Sequence, residues 1–179
     1  MSTEDREATF EYRPPGVSTA VAIGASLVVV VALAPASLGA SGVAGLGAAV
    51  LASALLRGSR RVVTLGASVV FVSLLAAGAA EGPVIPVVVG GIATLLAYDA
   101  GHYAVRLGQQ VGRHGTTTSA EVAHLGTTAA VSVAAATAGL LLFTAGPVGQ
   151  PTAVLVGLLL AALLFVSALS LRGHSIASG

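Results

Sequence analysis

Apolar runs of about twenty residues recur along this chain, separated by short interruptions of proline, glycine or arginine. A hydrocarbon layer roughly 30 Å thick is crossed by roughly 20 helical residues, so the recurrence matches the thickness of a bilayer. Composition agrees: of 179 residues 55% are hydrophobic and 8% charged, with a mean hydropathy of +0.95, which leaves too little polar material to cover a water-soluble domain. A closed barrel needs alternation over strands of about ten residues, whereas these runs are continuous blocks rich in Ala and Leu. The expected fold is all-α, a polytopic integral membrane protein with six transmembrane helices.

Residues 1–16 read as an acidic leader, in which Glu4, Asp5, Glu7 and Glu11 outweigh Arg6 and Arg13, closed by Pro14-Pro15-Gly16. A single transmembrane domain is expected over 17–171, with spans at about 17–34, 38–56, 62–80, from 84 onward, 119–145 and 152–171, and a tail over 172–179. The fourth span has the least defined end, because it runs into an amphipathic segment at about 99–118. That segment fits either a continuation of the helix or a break near Gly101 with the second half on the membrane surface. Thr118-Ser119-Ala120-Glu121 has the spacing of a capping box opening the fifth helix.

Arginine sets the orientation. With six spans the outer turns would be 34–37, 81–83 and 146–151, and none holds an arginine; Arg6, Arg13, Arg57, Arg60, Arg61, Arg106, Arg113 and Arg172 all fall on the other side. Basic residues near span ends are retained in the cytoplasm, so both termini are expected inside a multi-pass protein of the cell membrane. The long apolar run and acidic leader argue against reading the first span as a cleaved signal. Cysteine is absent, which excludes disulfides and thiolate chemistry, and a net charge of +1 makes no case for nucleic acid.

Helices in lipid pack closely through small residues. Ala93, Ala97 and Gly101 recur every fourth residue in the fourth span, Ala130, Ala134 and Ala138 do so in the fifth, and Gly108 with Gly112 has GxxxG spacing. The three tyrosines, Tyr12, Tyr98 and Tyr103, all belong to the arginine side.

Two patterns suggest chemistry and fail on geometry. Gly39-Ala40-Ser41-Gly42 resembles the serine motif of rhomboid intramembrane proteases, but Ser41 lies at the outer end of the second span while His102, His114, His124 and His174 lie toward the inner side. Asp99-x-x-His102 and Glu121-x-x-His124 have the carboxylate-x-x-His spacing of di-iron bundles. If the fourth and fifth helices form a hairpin turning near Thr116, His124 faces Gly108 and stands roughly 9 Å along the axis from His102. No enzyme activity, metal or cofactor is therefore expected.

What remains is a polar stripe. At 100° per residue Asp99, His102, Arg106, Gln109, Gln110 and Arg113 fall within an arc of about 100°, either as a solvated helix face or as a docking surface. Asp99 favours docking, since a carboxylate near the inner edge of the hydrocarbon is costly without a partner; His102 and Tyr103, one turn away, are its expected local partners.

The acidic leader, the Pro-Pro-Gly before the first span and the stretch from Tyr98-Asp99 through Arg106-Leu107-Gly108-Gln109-Gln110-Val111-Gly112-Arg113 to Glu121-x-x-His124 resemble small membrane proteins of halophilic archaea. Such proteins are similar to components that accompany a MoxR-type ATPase. The resemblance implies a non-enzymatic subunit or scaffold whose partners are the bilayer and other membrane or cytoplasmic subunits. The alternative is a small transporter for a solute or ion. It requires a polar path to the outer side, where only Glu81, Gln150 and scattered Ser and Thr are found.

Overall fold

The computed structural model describes residues 15–81, 83–111 and 118–146, together with Val154 and Gly157. Among these, five helices form: α1 (Gly16–Leu33), α2 (Leu38–Arg57), α3 (Arg60–Ala79), α4 (Val84–Val111) and α5 (Thr118–Ala145). Each is long and apolar enough to cross a membrane. The expected sixth span lies outside the described residues except for Val154 and Gly157, both helical, and so do the acidic leader and the tail.

The helix boundaries follow from local chemistry. Ser37 opens α2 with extended backbone, its hydroxyl accepting from the Ala40 N–H at 3.2 Å. Gly58 ends α2 in the left-handed region at φ 65°, where lack of a Cβ removes the strain. Gly58 and Ser59 complete this turn by themselves, so Arg60 and Arg61 open α3 where the sequence suggested a longer interruption. Pro86 sits in the first turn of α4, where its missing N–H has no intrahelical partner to lose. Helix α4 continues without a break for 28 residues, about 42 Å at 1.5 Å per residue, so the amphipathic segment extends the helix as far as Val111.

Helices α1 to α4 close a ring in which each packs on the next and α4 returns to α1; α5 lies outside it, against α4 and the start of α1. Directions alternate, and the Gln109 side chain donates to the Gly58 carbonyl at 3.0 Å, joining the end of α4 to the α2–α3 turn. The start of α1, the α2–α3 turn, the end of α4 and the start of α5 therefore share one end. Arg57, Arg60, Arg61 and Arg106 all lie there.

Close approach is greatest between α2 and α3. A Cβ added at Gly47 would stand 2.8 Å from the Val70 backbone nitrogen and 2.9 Å from the Gly66 carbonyl oxygen; one at Gly66 would stand 2.7 Å from the Leu51 nitrogen. The two backbones thus touch, as small-residue packing in lipid requires. Ala93, Ala97 and Gly101 are buried as expected, Gly101 lying where a Cβ would meet Val63 at 3.0 Å. The second expected stripe is a correction: Ala130, Ala134 and Ala138 are exposed, and α5 buries Glu121, Leu125, Ser132, Ala136 and Gly139. Polar anchors at its start select that face, as described below. Leu27, Val31, Leu46, Leu56, Leu65 and Leu141 point outward, the surface expected of helices solvated by lipid.

Candidate functional site

Asp99 sits in the middle of α4. The Thr64 contact to His102 fixes the level of α4 against α3. Thr64 is four residues into α3 and Asp99 three residues before His102, so Asp99 lies about 10 Å farther along the bundle than Arg60, its side chain 34% exposed. The residues that meet it come from α5. The Thr128 hydroxyl donates to Asp99 Oδ2 at 2.7 Å, and His124 Nε2 approaches the same oxygen to 2.9 Å, close enough for charge interaction but without the alignment of a hydrogen bond. Tyr103, one turn along α4 from Asp99, stacks on the His124 ring with centroids 4.1 Å apart and planes 15° from parallel.

This corrects the expected local pairing. His102 and Tyr103 do not receive the Asp99 carboxylate, because α5 offers donors of its own. The register differs accordingly: His124 stands level with Tyr103, five residues from the Gly108 position that a turn near Thr116 would give. His102 faces the opposite neighbour, with Nε2 3.0 Å from the Thr64 hydroxyl. That hydroxyl also reaches the Arg60 carbonyl of its own helix at 3.1 Å. Tyr98 packs on the other side of this ring at 4.6 Å.

Glu121, unlike the partly exposed Asp99, is a fully buried carboxylate, 2% exposed. It turns to α1, accepting from the Ser18 backbone N–H at 2.7 Å and the Ser18 hydroxyl at 2.8 Å. Helix α1 begins at Pro15 with no side-chain cap and no acidic residue in its first turn, so the carboxylate of a distant helix satisfies a donor that α1 leaves open.

The carboxylate-x-x-His pairs do not converge. His102 goes to α3, Glu121 to α1, and Asp99 with His124 supplies two groups only; among the described residues no cluster of three or more metal-ligating side chains exists. Ser41, the serine of the rhomboid-like motif, donates to the Val30 carbonyl at 2.8 Å at the end remote from His102 and His124.

Of the stripe predicted from the sequence, Asp99 fastens α4 to α5, His102 fastens it to α3 and Gln109 to the α2–α3 turn, while Arg106 and Gln110 remain exposed. Arg113 lies outside the described residues. Arg60, Asp99, His102, Tyr103, Arg106 and His124 line a cleft of about 220 Å³. Arg60, Thr64 and Thr128 were not foreseen as its neighbours. A signal for the last did exist, since Glu121, His124, Thr128 and Ser132 recur at helical spacing on α5, and of these His124 and Thr128 meet Asp99 of α4.

No curated protein and no solved structure matches the chain. A family of unknown function, DUF7519, matches residues 12–166, a range that holds all five helices and the whole cleft; the chain belongs to that family.

Proposed function

We propose that the chain is a non-enzymatic, multi-pass membrane subunit that docks a partner at its arginine-bearing end. A single arrangement carries this reading: Asp99, His102 and Gln109 tie one helix to three different neighbours, and the tied helix presents Arg106 and Gln110 outward. A solvated helix end has no need of such bracing; a surface that must hold its shape against another protein does. In this reading the braced end faces the cytoplasm, as the arginine distribution favours, and the sixth span completes the bundle.

Transport has less support. Among the described residues away from the arginine end, the buried Ser26, Ser73 and Thr94 each donate to a carbonyl of their own helix instead of toward a path. The test is partner recovery from native membranes after crosslinking, with a MoxR-type ATPase as the first partner to look for. Asp99→Asn, which removes charge and keeps shape, is expected to lower recovery more than Arg106→Gln at equal expression. Equal recovery for wild type and Asp99→Asn would sink the reading.

A further inference from the structure

Among the described residues the charges lining the cleft do not balance. Its one carboxylate, Asp99, is already engaged inside the protein by the Thr128 hydroxyl and the close approach of His124. Arg60 and Arg106 line the same cleft, and among the described residues neither has a carboxylate within ion-pair distance. His124 Nε2, buried in the cleft wall, has no aligned hydrogen-bond partner. Two guanidinium groups around about 220 Å³, with no carboxylate of the described residues left over for them, form a donor-rich space with no anion assigned to it.

Position narrows the chemistry. Arg60 is the first residue of α3 and Arg106 lies in the last two turns of α4, at the helix ends that a bilayer-spanning bundle presents to the headgroups. At that level the abundant anions are phosphate groups, and the planar guanidinium fork matches their oxygens. We propose that this cleft binds a phosphate-type oxyanion, carried by an anionic lipid headgroup or free in solution. The inference rests on the arginine-bearing end being the working face, but not on any partner protein, so its test and the partner-recovery test fail separately.

The experiment uses the full chain in zwitterionic detergent, titrated with short-chain phosphatidylglycerol, with and without inorganic phosphate. Saturable binding is expected for wild type. Each cleft arginine should contribute about fivefold, so Arg60→Gln/Arg106→Gln weakens binding about twentyfold. Arg57→Gln/Arg61→Gln makes the same charge change at the same end outside the cleft, and should stay within about twofold of wild type. Competition by inorganic phosphate would identify the free ion as sufficient; saturable lipid binding without competition would identify the headgroup as the source. Equal loss in the two double variants, or binding that survives in Arg60→Gln/Arg106→Gln, overturns the proposal. If that double variant does not elute as wild type does, the single variants decide, each with an expected fivefold loss.

Discussion

Glu121 of α5 accepts hydrogen bonds from both the backbone N–H and the hydroxyl of Ser18 in α1, at 2.7 and 2.8 Å. Two charge-assisted bonds to a buried carboxylate make this the firmest polar link between α5 and the ring. Glu121→Ala is expected to lower stability by about 2 kcal/mol or more, because it leaves the Ser18 donors buried without acceptor. Ser18→Ala removes only the hydroxyl bond and should cost about half as much. Reversible unfolding in detergent measures both; equal loss in the two variants contradicts the assignment.

Asp99 and Thr128 form the second link. In a double-mutant cycle of Asp99→Asn and Thr128→Val, a coupling of about 1 kcal/mol is expected, within the range measured for interhelical hydrogen bonds in membranes. Additive losses would show that the 2.7 Å contact contributes no energy of its own.

The contact of α2 with α3 admits no added methyl group at Gly66 without separation of two backbones. Gly66→Ala should cost about 1–3 kcal/mol or abolish the folded yield. Gly42→Ala, at a position where an added Cβ meets nothing within 4 Å, should leave yield and melting temperature unchanged. The readout is the monodisperse fraction in size-exclusion chromatography, and parity between the two variants argues against backbone contact.

Orientation is testable because the chain has no cysteine. Single cysteines at Ser37, Gly82 and Gly149 are expected to react with an impermeant thiol reagent applied from outside, and those at Ser59 and Ser175 to remain protected. The reverse pattern would invert the topology.

The spans were legible in the sequence because bilayer thickness imposes their length: apart from the end of α4, which the sequence left open, the described helix boundaries depart from the sequence reading by no more than two residues. That Asp99 needs a partner was legible too, from the cost of a carboxylate in hydrocarbon. Its partners were not. Whether Asp99 meets His102 on its own helix or Thr128 on the next depends on the register between α4 and α5, and an assumed turn at Thr116 displaced that register by five residues. Small-residue spacing proved an uneven guide for the same reason. It marked the buried face of α4 and the exposed face of α5, and it passed over Gly47 and Gly66, which lie on separate helices and carry no shared spacing.

The separation of Asp99 from Thr128 along the chain also orders biogenesis. At about 5–20 residues per second, Thr128 leaves the ribosome roughly 1–6 s after Asp99. Throughout that interval the Asp99 carboxylate lacks the Thr128 hydroxyl from which it accepts in the folded chain. Release of α4 alone into lipid is thereby disfavoured, and the fourth and fifth helices are expected to leave the translocation machinery together, as a hairpin zipped by its own polar seam.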